Sequence, residues 1–226
     1  MSIPRIVSRH WCRTARLFSS LALLSVAYGQ TIGALDLHKV TAKSVNYKGR
    51  TAVRIEGAGS PDAPDGSQFA VVRGTDFQDG TIEVDLSGDT KPGADPSYRG
   101  FVGIAFRTAS DLSKYECLYL RPKNGRSNDQ LQRNHSVQYI SAPDFPWQLL
   151  REKFPAKYES YVDLVPGEWT KVKIEVKGES AKLYVNAAGQ PILVVNDLKH
   201  AVSRGAIALW IGPGTLAHFA SLRVSP

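Results

Sequence analysis

Glu116, Asp129, His135, Asp144 and Glu159 are the side chains in the middle of this 226-residue chain that could carry acid–base chemistry. Cleavage of a glycosidic bond uses two carboxyl groups facing one another across it, one as acid and the other as base or nucleophile. An imidazole offers a second route, taking a proton from a sugar carbon that a neighbouring ketone has acidified. The candidate catalytic set is therefore Glu116, His135 and Glu159. Strict alternation along Tyr115 to Arg121 turns Glu116 away from Tyr115, which counts against it unless the strand bulges there. Around these acids lie the candidate ligand-binding residues Arg107, Tyr115, Tyr119, Arg121, Arg126, Arg133, Trp147 and Trp210. Guanidinium forks can fix hydroxyl or carboxyl groups, and an aromatic plane suits the C–H face of a sugar ring.

Other chemistries lack their patterns. There is no Gly-x-Ser-x-Gly elbow, and His38, His135, His200 and His218 are too scattered for metal-ligand spacing, so no metal and no cofactor is expected. Gly212-Pro213-Gly214 followed by Ala217 has no helix signal after it and reads as a turn rather than a dinucleotide fingerprint. Glu83-Val84-Asp85 lies early in the chain beside Asp79-Gly80 and reads as a solvated strand.

Positioning these side chains falls to strands. Candidates bounded by Gly, Pro, Asn and Asp recur at 51–55, 69–72, 81–86, 101–107, 115–121, 171–177, 181–186, 192–195, 206–211 and 220–224. Many short strands with turn signals between them predict an all-β fold, a single-domain antiparallel sandwich. In Lys171 to Lys177 the aliphatics fall on one side and the charges on the other, the pattern of a strand with one face packed and one in water. A different pattern marks Phe101 to Arg107, where Val102, Ile104 and Phe106 oppose Phe101, Gly103, Ala105 and Arg107. Pairing with Tyr115 to Arg121 sets Gly103 beside Tyr119, Ala105 beside Cys117 and Arg107 beside Tyr115. Together with Ala206, Ala208 and Trp210 on a third strand, these small residues predict a hollow flanked by tyrosine, arginine and tryptophan. The plainer alternative is that the aromatics only fill the second sheet. One or two helical turns are expected within 146–157, inside a long polar connection from Arg121 to Tyr161 that either carries a ligand site or is a solvated insertion. In the first case Phe145-Pro146-Trp147 would cover the ligand.

The N-terminus has its own pattern. Arg5, Arg9, Arg13 and Arg16 precede the apolar stretch Leu17 to Ala27, which meets small residues near Gly29. Residues 1–29 are expected to be a secretory signal peptide and 30–226 the folded domain, secreted or periplasmic, the alternative being an uncleaved anchor. Removing four leader arginines from a formal charge of +7 leaves about +3, too little to point to a nucleic-acid partner. No later run is long enough to span a membrane. Cys117 is then left without a disulfide partner, and a small buried strand residue is the simplest role for it.

Phe77-Gln-Asp-Gly-Thr-Ile-Glu-Val-Asp85, Gly103-Ile-Ala-Phe-Arg107, Tyr115-Glu116, Trp169 before the alternating Val172, Ile174 and Val176, Leu183-Tyr-Val-Asn186 and Gly205-Ala-Ile-Ala-Leu-Trp210 resemble the 3-keto-disaccharide hydrolase-like domains. The same order is similar to laminin-G-like jelly rolls and, more distantly, to glycoside hydrolase family 16. The resemblance implies a concanavalin A-like jelly roll with a carbohydrate groove on its concave sheet, near Arg107, Tyr115 and Glu116. A carbohydrate ligand is thus the expected partner, with a lectin-like or protein-interaction module as the alternative to an enzyme. The strand ends Tyr119-Leu120-Arg121-Pro122 where those relatives often place an acidic residue, so an acid or metal role there is in doubt.

Overall fold

The structure, a computed structural model, describes residues 26–27, 34–59 and 68–226. The expected leader lies outside them except for Val26–Ala27 (β1), which pairs with Val224 and Arg223.

Two antiparallel sheets form a sandwich. Sheet I runs β13 (Leu193–Val195), β12 (Ser180–Val185), β11 (Thr170–Lys177), β6 (Gly80–Thr90), β15 (Thr215–Ser225), β4 (Arg50–Gly57), β3 (Val40–Tyr47), with β1 on β15. Sheet II runs β10 (Glu159–Ser160), β9 (Val137–Ala142), β8 (Tyr115–Leu120), β7 (Val102–Thr108), β14 (Ala206–Ile211), β5 (Gln68–Val72), β2 (Leu35–His38). Sheet I keeps the alternation its sequence demands. Val172, Ile174 and Val176 are buried while Lys171 and Lys177 are exposed, and Val172, Ile174 and Val176 face Val185, Leu183 and Ala181 across the β11–β12 pair. Each fully buried aliphatic side chain contributes roughly 1.5–3 kcal/mol before entropy is subtracted, so this hairpin is core architecture.

Sheet II differs because β7 and β8 are buried on both faces. One face packs on sheet I through Ile104, Leu118, Tyr139 and Leu209, and the other is roofed by the chain that follows β9. That chain turns sharply between the bridged residues Ser141 and Phe145, forms α2 (Trp147–Lys153), and returns as β10 on the outer edge of β9. The expected helical turns are therefore present, and the long connection is mostly regular structure: a 3-10 turn at Pro122–Asn124, α1 (Gln130–Asn134) capped by Asp129, β9, α2 and β10. Among the described residues no helix is long and apolar enough to cross a membrane.

One expected site residue leaves the site at this level. Four residues of β7, from Ala105 to Thr108, span the same distance as three on β14, from Ala208 to Ala206, and Arg107 adopts a left-handed φ of 51°. This bulge breaks the alternation that would have put Arg107 beside Tyr115. Its side chain goes instead to the rim of sheet I, where Nε donates to the Gln78 carbonyl (2.9 Å) and Nη2 to the Gly178 carbonyl (2.7 Å) and Asp79 Oδ1 (3.1 Å). Arg107 is a buried strut between the sheets, away from Tyr115. Replacing Arg107 with alanine leaves these acceptors without their donor, and chemical denaturation should show a loss of about 2–4 kcal/mol.

The outer face of sheet I carries a pH-sensitive element. His218 stacks on Tyr47 with ring centroids 3.6 Å apart, and burial, assisted by Arg54, lowers its pKa to about 4. A histidine held neutral in the fold but titrating near 6.5 when unfolded takes up more protons in the unfolded state between those values. Its contribution is complete above pH 6.5 and is lost as pH falls toward 4. Thermal melts should show the midpoint falling over that window in the parent protein and falling less in His218→Gln.

Candidate functional site

A single cross-strand row organises the outer face of sheet II. Register places His38, Phe69, Trp210, Gly103, Tyr119, Gln138 and Glu159 side by side on β2, β5, β14, β7, β8, β9 and β10. Cross-strand neighbours share a face, so these seven residues all project away from sheet I. The expected pairs Gly103/Tyr119 and Ala105/Cys117 are present.

The glycine does not open a hollow. A Cβ at Gly103 would stand 2.5 Å from Tyr119 Cβ and 2.6 Å from its Cα, so the space belongs to the tyrosine. With no side chain between them, Tyr119 and Trp210 close over Gly103, their ring centroids 4.8 Å apart and tilted by 35°. In the adjacent row Ala208, Ala105 and Cys117 are fully covered, and Phe69 meets Tyr115 edge to face at 5.6 Å. The small residues are thus sites for rings to lie upon. Burial raises the Cys117 thiol well above its usual pKa, which fits a packed strand residue and not a nucleophile.

Above this floor is a trough of about 660 Å³. Tyr115, Tyr119, Trp210 and Ile140 line its base, Phe145, Pro146 and Trp147 form one wall, and Tyr98, Phe101 and Pro213 contribute on the side of the β6–β7 connection. No acidic or basic side chain is part of the lining. Trp147 is 37% exposed, while Trp210 is buried, and its indole Nε1–H makes no hydrogen bond among the described residues.

At one end of the row, charge replaces aromatic surface. Glu159 is buried and sits among Arg121, Arg151 and His135. Arg121 donates from Nη1 to Glu159 (3.3 Å) and the His135 carbonyl (3.2 Å), and from Nη2 to Tyr119 Oη (2.8 Å) and Gln138 Oε1 (3.2 Å). Arg151 makes a forked contact with the same carboxylate through Nε and Nη2. Its guanidinium lies 4.6 Å from the centre of the Trp147 ring, with Arg121 at 5.5 Å from that ring. His135 Nδ1 is 2.8 Å from Glu159 Oε2. Burial lowers the His135 pKa against the pull of the carboxylate, so the imidazole is neutral near pH 7. The cluster fixes α2, and with it Trp147, against the sheet.

Of the expected catalytic residues, His135 and Glu159 come together and Glu116 does not join them. Glu116 pairs with Ser141 and Phe106 on the inner face of sheet II. It accepts from Tyr139 Oη (2.6 Å) and the His200 backbone N–H (2.9 Å), while Tyr139 Oη accepts from the Lys199 N–H (2.8 Å). Burial and the neighbouring carboxylate push the Tyr139 pKa far up, keeping the hydroxyl a donor. Lys199 then reaches Asp197 (2.9 Å) and the rings of Phe145, Phe154 and Tyr158, so Glu116 is a buried anchor for the loop that holds the roof.

Arg126 and Arg133 also lie elsewhere. Arg126 makes an exposed bidentate pair with Asp163 (2.7 and 2.8 Å), and Arg133 donates to Tyr161 Oη (3.1 Å) with its guanidinium over that ring. Both belong to the surface around α1 and outside the trough lining. Tyr115, Tyr119, Trp147 and Trp210 line the trough, and Arg121 braces it from behind Tyr119 and Trp147. Gln138 and Arg151 were missed, Gln138 because the β9 strand was not recognised. Among the described residues no cluster of metal-ligating side chains is present.

No family model matches the chain, and no curated protein matches it. Solved structures do. A carbohydrate-binding module, CBM66 from Bacillus subtilis, is 17% identical with a TM-score of 0.53 and covers 84% of this chain and 98% of its own. A galectin-like-fold protein of unknown function from Bacillus subtilis is 13% identical (TM-score 0.52, covering 84% and 89%), and the cellulose-induced protein Cip1 is 10% identical (TM-score 0.54, covering 89% and 96%). At these identities the likeness shows the fold, a concanavalin A-like jelly-roll β-sandwich.

Proposed function

We propose that this chain binds a carbohydrate ligand in the trough of sheet II, and that residues 1–29 direct its export. The observation that carries the reading is the trough itself: Trp210, Tyr115 and Tyr119 on a rigid sheet, Trp147 on the helix that walls it, and a buried indole donor without a partner, with arginine and imidazole groups beyond its lining at one end. Sugar rings are recognised by packing their C–H faces on aromatic planes and by pairing hydroxyls with preset polar groups. The carbohydrate-binding module among the structural neighbours adds support at the level of fold. Glycosidic cleavage by two opposed carboxyl groups has little support, because no carboxylate lines the trough and Glu159 is held by two guanidiniums.

A second reading, processing of a 3-keto glycoside, is favoured by one feature. The neutral His135 imidazole stands 2.8 Å from the Glu159 carboxylate, out of line for a hydrogen bond in this conformation, and a turn of the ring would make the pair suited to a general base. The two readings separate in one experiment: a glycan array with release assays on ordinary and 3-keto disaccharides, run on the parent chain and on His135→Asn. Binding without release from any substrate supports the binding module. Release that disappears in His135→Asn with affinity retained supports the enzyme.

A further inference from the structure

The polar resources of the trough are unevenly distributed. Around Trp210 and Tyr119 the lining is mostly aromatic and apolar, with Ser97, Ser141 and Gln148 as its polar side chains besides the tyrosine hydroxyls. Tyr119 Oη already accepts from Arg121, and both terminal nitrogens of Arg121 are committed to Tyr119, Gln138, Glu159 and the His135 carbonyl. Ser141 pairs with Glu116 on the strand, and its Oγ, at the edge of the lining, makes no hydrogen bond among the described residues. Trp210 Nε1–H is a buried donor without a partner among the described residues, and it suits a single acceptor atom. A bare hexose pushed in here would leave several hydroxyls without partners, each at a cost of about 1–3 kcal/mol. An apolar group would lose nothing and would gain stacking area. At the other end, beyond Trp147, Arg151 and His135 supply partly accessible polar groups around Glu159.

Building on the carbohydrate reading, we infer that the ligand is a glycoside bearing an uncharged apolar aglycone, aromatic or alicyclic. The aglycone lies on Trp210 and Tyr119 with one ether or carbonyl oxygen facing Trp210 Nε1, and the sugar lies toward Trp147 and Arg151. The absence of charge in the lining argues against uronic acids and sulfated sugars in the inner part, since a buried unpaired anion is costly there.

Matched methyl and phenyl glycosides of glucose, galactose, xylose and arabinose, titrated calorimetrically against the parent chain and Trp210→Phe, test this, with phenol and cyclohexyl phenyl ether as sugar-free probes. For whichever sugar binds, the phenyl glycoside should bind at least about tenfold more tightly than its methyl counterpart. Trp210→Phe, confirmed folded by thermal melting, should shrink that preference. Equal affinities for the methyl and phenyl members would overturn the aglycone inference and leave the carbohydrate reading standing. Sugar-free probes binding as tightly as the phenyl glycosides would overturn the carbohydrate reading on which it rests. No binding in either glycoside series would overturn both.

Discussion

Trp210→Ala should weaken binding of the proposed carbohydrate ligand by about thirtyfold or more, the largest effect on affinity expected from a single change in the trough. The indole lies centrally in the cross-strand row, packs at 4.8 Å on Tyr119, and brings the buried N–H without a partner. Truncating a central, desolvated tryptophan removes both stacking area and a donor, and such anchors cost 2 kcal/mol or more, a loss of about thirtyfold or greater. Because Trp210 is also packed against the sheet, alanine there leaves a cavity and destabilises the domain by about 3–5 kcal/mol. Trp210→Phe separates the two effects, keeping most of the ring while deleting the donor. Calorimetry on the folded phenylalanine variant should show intermediate affinity.

Glu159→Gln should cost as much stability as Trp210→Ala, by a different route. The carboxylate is buried and faces two guanidiniums and an imidazole, and the Arg121 side chain beside it is equally enclosed. Removing one partner of a buried pair strands the other, which costs about 3–5 kcal/mol. Arg121 would keep its bonds to Tyr119 and Gln138, whereas Arg151 would lose its forked partner and release α2 and Trp147. Denaturant unfolding should show that loss, and hydrogen exchange should show residues 143–158 opening before the core strands. An unchanged unfolding midpoint would mean that the cluster does not hold the roof.

Alternation carried most of the architecture. The hairpin at β11 and β12, the Gly103/Tyr119 register and the outward side of Trp210 all follow from period-two patterning, because a strand's faces are fixed by parity. Parity also warned that Glu116 points inward, as it does. Arg107 was misplaced for the same reason in reverse: one extra residue on β7 flips everything after it, and Phe106-Arg107 carries no glycine to announce a bulge. Gly103 and the alanines read as gaps because a sequence shows which residues are small and not which neighbours fold over them. Gln138 escaped notice because Val137 to Ala142 mixes polar and apolar residues on a strand buried on both faces, a pattern without a solvent side to mark it. The convergence of His135, Arg121, Arg151 and Glu159 depends on β10 returning to β9, a long-range pairing of only two residues.

The outer face of sheet I offers the sharpest contrast to the trough, since it too carries aromatics, with Tyr47 stacked on His218 and edge-on to Trp169. A crystal structure of the chain with its best glycan-array ligand decides between the faces. Sugar density against Trp147 and Arg151, reaching to Trp210 and Tyr119, is the predicted result. Density confined to Tyr47, Trp169 and His218, with the trough unchanged, would contradict the assignment.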